Sequence, residues 1–229
     1  MKRTYRIRRF VAVIVATIGL GAIIFTHPDL QQPMAPQATE NQAASEAQTA
    51  LDTLEVKGRA PKTGYERSQF GDGWASSGGC DTRNSILRRD LSNVAMNEKC
   101  QVVSGTLNDP YTGKVIMFTR GETSSQSVQI DHVVALSDAW QKGAQQLSYE
   151  RRKELANDPL ELLAVEGAAN MQKSDGDAAT WLPPNKPFRC QYVARQIAVK
   201  KKYSLWVTAA EKDAMVRVLV ACPAQGLPK

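Results

Sequence analysis

The feature that most constrains this chain is a charge step at its N terminus. Residues 1–9 hold five basic residues and no acidic one, and a run of sixteen mainly apolar residues, Phe10 to Phe25, follows them. Basic flanks stay on the cytoplasmic side of a membrane, so we expect the rest of the chain to be exported. The run is slightly shorter than the ~20 residues that a membrane-spanning helix needs. The sequence therefore leaves open whether residues 1–26 form a cleaved signal peptide or an apolar helix that anchors the chain.

The next segment, residues 27–55, has the composition of a flexible linker. Residues 27–50 contain three prolines among many Gln, Ala and Glu residues, and their apolar residues follow no helical or strand period. Residues 56–229 are then expected to form one folded domain. The chain is 42% hydrophobic, which suffices for a buried core and excludes a wholly disordered chain, a collagen and a multi-span membrane protein.

Four cysteines agree with export into an oxidising compartment. Cys80, Cys100, Cys190 and Cys222 can pair in three ways. We favour the disulfides Cys80–Cys100 and Cys190–Cys222, because each of them closes a local segment. A zinc site is disfavoured, because no CxxC pair occurs and the chain has only two histidines.

The net charge of +6 overstates the basic character of the folded part. Without the five N-terminal cations and the three acidic residues of the linker up to residue 50, residues 51–229 carry a net charge of +4. This modest charge permits a nucleic-acid partner without arguing for one.

The patterns along the folded part predict an α+β fold. The segments QVVSGTL and VIMFTR within 101–120, joined by a turn, predict two strands. Alternating and β-branched residues predict a strand at 127–135, and the short apolar run LELLAV predicts another at 160–165. Helices are expected at 81–92, at 136–156, from Gly167 onward and from the capping box Thr208–Glu211.

The residue types that can carry chemistry lie around one histidine. His132 is the single histidine of the folded part, and it directly follows Asp131 within the strand expected at 127–135. A second strand and a helix that carries Asn170 come next, an order in which a histidine and a metal can share one phosphate. Asp131 and Asn170 offer the hard oxygen ligands that suit Mg²⁺. His132 is neutral at pH 7 and can accept a proton from water.

These residues give the chain a resemblance to a known family. Asp131-His132, followed by LELLAVEGAANMQK at 160–173, resembles the HNH or His-Me finger nucleases and is most similar to their exported bacterial branch. The similarity covers roughly residues 70–190 and includes the stretches GDGW, CDTRNSILRRDL and DGDAATWLPPNKPFRC. The resemblance implies a ββα-metal core with flanking helices and a small antiparallel sheet, preceded here by the apolar N-terminal helix.

The resemblance also implies a role for each matching residue. His132 would be the general base, and Asp131 and Asn170 would hold one divalent cation. Lys173 is the trailing basic residue of the motif and is expected either to neutralise a phosphate or to cap its helix. The family has Asn where this chain has Glu161, which can still orient the general base as a hydrogen-bond acceptor.

Three arginines on the helix expected at 81–92 are candidates for binding substrate. Arg83, Arg88 and Arg89 carry guanidinium groups, whose fork geometry matches phosphate. The alternative for these residues is a solvent-exposed helix face.

The expected function is that of an exported, metal-dependent endonuclease with little sequence specificity, because no recognition helix, zinc finger or strongly basic patch is visible. DNA is expected ahead of RNA, and Mg²⁺ ahead of Mn²⁺ or Ca²⁺. The family's products are a 5′-phosphate and a 3′-hydroxyl. We expect the protein to be secreted or anchored outside the cytoplasm, with the membrane as a partner only if the apolar segment is kept, and no protein partner is implied. The alternative is an inactive exported domain of the same fold, which binds nucleic acid or attaches to the surface, with Glu161 as a trace of lost catalysis.

Overall fold

The computed structural model describes residues 44–121 and 124–228. The signal or anchor expected at 1–26, and the linker as far as residue 43, lie outside these residues. Within the described residues, no helix combines the length and the apolar character that crossing a membrane requires.

The described residues form a mixed α/β fold with short elements. The helices are α1 (Glu46–Asp52), α2 (Thr82–Asp90), α3 (Leu136–Gln141), α4 (Tyr149–Asn157), α5 (Gly167–Lys173), α6 (Arg189–Lys202) and α7 (Ala209–Leu219). The strands are β1 (Ser76–Ser77), β2 (Cys80–Asp81), β3 (Leu91–Met96), β4 (Val102–Asn108), β5 (Val115–Thr119), β6 (Val128–His132) and β7 (Leu162–Glu166).

The strands pair into small antiparallel sheets, β1–β2, β3–β4–β5 and β6–β7. In the last of these, Asp131 lies opposite Leu163 and His132 lies opposite Leu162. Helix α5 begins at the residue after β7 and contacts both strands. This strand–strand–helix unit brings the end of β6 close to α5.

Two apolar clusters meet at the end of β6. The larger cluster takes residues from α1, α3, α4, α6 and α7, and it includes Val133. The smaller cluster takes residues from α2 and from strands β3 to β7, and it includes Ile130. Asp131 and His132 therefore lie, along the chain, between residues that are anchored in different clusters, which fixes their backbone from both sides.

A buried charge cluster crosses the larger apolar cluster. Lys142 Nζ lies 2.8 Å from Asp138 Oδ1 and 2.7 Å from Glu211 Oε2, and Lys200 Nζ lies 3.0 Å from Glu211 Oε1. Three cations balance three carboxylates, so the cluster joins α3, α6 and α7 without a net charge. Its members are the buried residues Asp138, Lys142, Asp177, Lys200 and Glu211 and, at the surface, Arg59.

The disulfides join Cys80 to Cys100 and Cys190 to Cys222, which is the pairing that the sequence favours. The first bond ties β2 to the turn before β4, and the second ties the start of α6 to the end of α7. On the chain-entropy model, closing a loop of this size stabilises a protein by about 3 kcal/mol.

Helix α1 corrects the C-terminal part of the linker expected at 27–55. Ser45 caps the helix, since its Oγ accepts a hydrogen bond from the Gln48 backbone at 3.1 Å, and Leu51 is buried in the larger cluster. The buried residues follow the i, i+3, i+4 spacing of an amphipathic helix. The folded part therefore begins ahead of residue 46 and not at residue 56.

Most predicted elements are confirmed, but the helix expected at 136–156 is split. The strands within 101–120, at 127–135 and at 160–165 all form, as does the capped helix α7, although β6 is shorter than the strand expected at 127–135. Gly143 separates α3 from a 3₁₀ turn and α4, because its φ of +121° leaves the helical region. A Cβ at Gly143 would also lie 3.2 Å from the Trp206 ring, so the chain passes close to that indole.

Candidate active site

Two adjoining cavities open at the end of β6. We call the larger one, of about 570 Å³, the polar cavity, and the smaller one, of about 130 Å³, the small cavity. Arg67, His132 and Leu136 line both of them. Only 7% of the His132 surface is exposed, yet its ring forms part of both walls and is therefore not sealed inside an apolar core.

His132 is held in one tautomer. Its Nε2 lies 3.0 Å from the carbonyl oxygen of Ala156, and because a carbonyl can only accept, Nε2 carries the hydrogen. Burial lowers the pKa of His132 to about 3, so the ring is neutral at pH 7. The imidazole also stacks on Trp74, with ring centroids 5.7 Å apart and planes 8° from parallel. Nδ1 is left as the nitrogen that can accept a proton.

Asp131 has both carboxylate oxygens hydrogen-bonded. Oδ1 accepts from Lys173 Nζ at 2.9 Å, and Oδ2 accepts from the hydroxyl of Tyr111. Burial raises the pKa of Asp131, whereas the Lys173 ammonium and the Tyr111 hydroxyl act in the opposite direction. Each carboxylate oxygen has two lone pairs, so Asp131 can accept a further ligand from the polar cavity that it lines.

Tyr111 is a site residue that the sequence did not indicate. It is fully buried in the turn between β4 and β5, and it packs edge-on against Tyr192 and at a tilt against Trp181. The turn signal around it is visible in the sequence, but nothing in the sequence shows that its hydroxyl reaches β6.

Lys173, which is expected to neutralise a phosphate or to cap its helix, lines neither cavity. It is 2% exposed. Its Nζ donates to Asp131 Oδ1 and, at 2.7 Å, to the carbonyl oxygen of His132. Lys173 therefore fastens the end of β6 to α5 and acts on the site through these two residues.

Glu161 also lies beneath the cavities. Its Oε2 accepts from the backbone of Val134 at 3.2 Å, and its carbonyl accepts from the backbone of Val133 at 2.9 Å. Burial raises the pKa of Glu161 well above its usual value, whereas the hydrogen bond from Val134 and the charge of Lys173 act in the opposite direction. Oε1 has no hydrogen-bond partner among the described residues. Glu161 thus contacts the backbone that follows His132 and not the imidazole.

Asn170 shares the wall of the polar cavity with Asp131 and His132. Its Nδ2 donates to Gln129 Oε1 at 2.9 Å, which leaves Oδ1 as a free acceptor within the described part of the chain. Within residues 44–121 and 124–228, no cluster of three or more His, Cys, Asp or Glu side chains could hold a metal. The Asp131 carboxylate and the Asn170 amide oxygen at the wall of the polar cavity nevertheless fit Mg²⁺, which binds through one or two carboxylates and keeps several waters.

Of the three candidate arginines, the structure brings only Arg83 to the polar cavity. Its Nη2 donates to the carbonyl of Val128 at 3.2 Å. Arg89 is held by the Asp90 carboxylate at 2.6 Å and by two backbone carbonyls, and Arg88 is exposed on α2 and lines neither cavity. Any contact of Arg88 or Arg89 with substrate would therefore lie outside the two cavities.

Two other cations, absent from the sequence-based candidates, line the polar cavity. Arg67 is exposed and forms no ion pair within residues 44–121 and 124–228. Lys62 lies 3.4 Å from Asp175 at the rim. Both stand in an irregular segment, where a single basic residue gives no pattern that could have indicated a site.

The chain can now be compared with known proteins. Residues 81–218 match the family described as GmrSD restriction endonucleases, C-terminal domain. The chain belongs to this family. The GmrSD range contains β6, β7 and α5 and therefore Asp131, His132 and Asn170, whereas Arg67 and Trp74 precede it.

A protein of Arthroderma benhamiae that is named Uncharacterized secreted protein is also similar to this chain. The two are 38% identical over 182 residues, which cover 79% of this chain and 86% of the relative. Since the GmrSD match covers a smaller share of the chain, the similarity to this relative reaches beyond residues 81–218.

Proposed function

We propose that this protein is an exported, metal-dependent endonuclease of the HNH type, which hydrolyses phosphodiester bonds in nucleic acid with little sequence specificity. One observation carries the proposal, namely the neutral imidazole of His132, which is fixed in one tautomer at the wall of a cavity that also holds Asp131 and Asn170. Membership of a restriction-endonuclease family supports the activity. The name of the secreted relative and the two disulfides support export.

In this proposal His132 is the general base. The Ala156 carbonyl holds Nε2–H, so Nδ1 takes the proton of a water molecule whose oxygen attacks phosphorus. The bond between phosphorus and the 3′ oxygen breaks, and the departing oxygen takes a proton from solvent water, which leaves a 5′-phosphate and a 3′-hydroxyl. Trp74 keeps the imidazole in its plane, and Glu161 holds the backbone that follows it.

Asp131 and Asn170 are the residues that would hold one divalent cation, with Mg²⁺ the expected ion. Such a cation, when bound, would stabilise the negative charge on the phosphate and on the departing oxygen. Lys173 and Tyr111 position the Asp131 carboxylate and do not contact the substrate. Removing a group that holds a metal-ligating side chain in place typically lowers metal affinity or activity by about 10- to 100-fold.

The test is nicking of supercoiled plasmid by the full chain, with Mg²⁺ and with a chelator. We expect chelator-sensitive cleavage, and His132→Ala should lower its rate by about 10²- to 10⁴-fold, because a general base contributes that much. Gln172→Ala is the matched control, since Gln172 is exposed on α5 and lines neither cavity.

Equal rates for His132→Ala and the parent would contradict the role of His132. Binding of nucleic acid without any chelator-sensitive cleavage would favour the inactive binding domain instead. Circular dichroism and thermal unfolding of each variant check that a loss of rate is not a loss of fold.

A further inference from the structure

We propose that the small cavity is a subsite for an unpaired nucleobase, with Trp74 as its stacking surface. The proposal rests on the proposed function and deepens it, because it names single-stranded or locally unpaired nucleic acid as the preferred substrate. The base would belong to a nucleotide next to the phosphate that is cleaved.

The shape of the small cavity suits a flat ring. The indole of Trp74 and the imidazole of His132 lie 8° from parallel with their centroids 5.7 Å apart, and both residues line the space of about 130 Å³, so a further ring would stack beside this pair and not between its members. Trp74 is only half-buried, so part of its surface remains accessible. Stacking on an aromatic face is the usual way in which proteins hold bases without selecting among them, since every base has a π-face. The remaining walls come from Arg67, Phe70, Gly71, Gly73, Leu136 and Ala156.

The size and position of the small cavity point to part of a larger ligand. A volume of about 130 Å³ is well below the ~300–1,000 Å³ of sites that hold a whole small molecule. Because Arg67, His132 and Leu136 also line the polar cavity, one ring of a ligand can enter the small cavity while the rest lies in the polar cavity. A nucleotide divides in this way, into a flat base and a charged phosphodiester.

Arg67 supplies a positive charge for the phosphodiester next to the bound base. It is exposed, lines both cavities and has no ion pair among the described residues. A guanidinium can bind a phosphate through its fork and can also stack on a ring through its plane. Arg67 and Trp74 both precede residue 81, where the GmrSD match begins, so this subsite draws on residues outside the matched range.

Steric access to the Trp74 ring favours unpaired nucleic acid as the substrate. In a duplex both faces of a base are covered by its neighbours, and a base can reach a protein aromatic ring only after it leaves the stack. A single strand presents its bases without that cost. The Trp74 surface should therefore contribute to binding of single strands and not to binding of intact duplexes.

The test measures binding by the full chain in chelator, where no turnover interferes. The probes are a fluorescein-labelled oligothymidylate, an abasic strand of the same length and a duplex of the same length. We expect the parent to prefer the thymidylate over the abasic strand. Trp74→Leu should weaken thymidylate binding by about 5- to 150-fold, the usual effect of removing one base-stacking aromatic, and should leave the abasic strand and the duplex unchanged.

Tyr149→Leu is the matched control, because Tyr149 is 42% exposed at the start of α4 and lines neither cavity. Equal affinity of Trp74→Leu and the parent for the thymidylate would overturn the subsite, and so would an equal loss on all three probes. A measurement on the parent needs no variant: thymidylate should quench tryptophan fluorescence more than the abasic strand does, and equal quenching would overturn the proposal. Thymidylate preference without cleavage of any substrate would instead refute the nuclease and leave the subsite standing.

Discussion

Replacing Lys142 by Met tests how much the buried charge cluster stabilises the domain. The Lys142 side chain is fully buried, and its Nζ lies 2.7–2.8 Å from carboxylate oxygens of Asp138, Asp177 and Glu211. The variant keeps three carboxylates but only two cations. Removing one partner of a buried ion pair costs roughly 3–5 kcal/mol, because a charge then stays buried without compensation.

Such a loss is large beside the ~5–15 kcal/mol of stability that a native domain has. Urea unfolding measures the loss, and with a slope of ~1–3 kcal/mol per molar the midpoint for Lys142→Met should fall by at least about 1 M. Lys57→Met is the control, because Lys57 pairs with Glu55 at 2.7 Å but is 48% exposed, and an exposed pair contributes only ~0–1 kcal/mol. Similar midpoints for the two variants would refute the reasoning.

Three further predictions concern the site and its surroundings. Asn170→Ala should raise the Mg²⁺ concentration required for half-maximal nicking by about 10-fold or more, because it removes one of two proposed ligands. Gln172→Ala should leave this concentration unchanged. If Asn170→Ala also left it unchanged, Asn170 would not be a ligand. Arg67→Ala should weaken DNA binding and make the plot of log affinity against log salt concentration shallower by about one unit of slope, since one phosphate contact is lost. Arg88→Ala, on the exposed face of α2, should leave this slope unchanged, and equal slopes for the two variants would exclude Arg67 as a phosphate ligand. Although burial acts in the opposite direction, ion pairs lower the pKa of Asp177 to about 2. The contribution of Asp177 to stability is therefore complete above an unfolded pKa of ~3.9 and is lost as pH falls towards 2. Asp177→Asn should flatten the plot of stability against pH between about pH 4 and pH 2, and a plot parallel to that of the parent would contradict this.

Local patterns in the sequence were sufficient for the elements that carry the site. Alternation of β-branched residues identified β6, a short apolar run identified β7, and the motif spacing placed Asn170 on the helix that follows them. Asp131, His132 and Asn170 do line one cavity. These features depend on residues that are close in sequence, within one supersecondary unit.

Helix α6 shows why other elements escaped prediction. It is the longest helix of the described residues, yet its buried face includes Gln196 and Lys200 beside Tyr192 and Ile197. A helical apolar pattern is interrupted where polar side chains are buried against partners from other elements. Gln196 donates to the carbonyl of Val133 at 2.8 Å, and such a contact across the fold is invisible in the sequence.

The same limit applies to the roles of single residues in the site. Lys173 and Arg89 look like free cations in the sequence, but both are occupied by contacts to residues that lie far along the chain. Arg67 and Trp74 look unremarkable within an irregular segment, but the fold brings that segment to His132. Which cation faces solvent space is decided by tertiary packing, and not by residue type.

The contribution of residues 62–74 to the cavity walls bears on how fragments of this protein should be designed. A fragment cut to residues 81–218 would keep the general-base candidate and both candidate ligands, but it would lose the indole that covers the imidazole and the arginine between the two cavities. It would also lose Cys80 and Cys222 and leave two unpaired thiols. Crystallisation or screening with such a fragment would therefore sample an opened cleft in a domain without disulfides. Boundaries that include residue 44 and the chain end are the appropriate starting point.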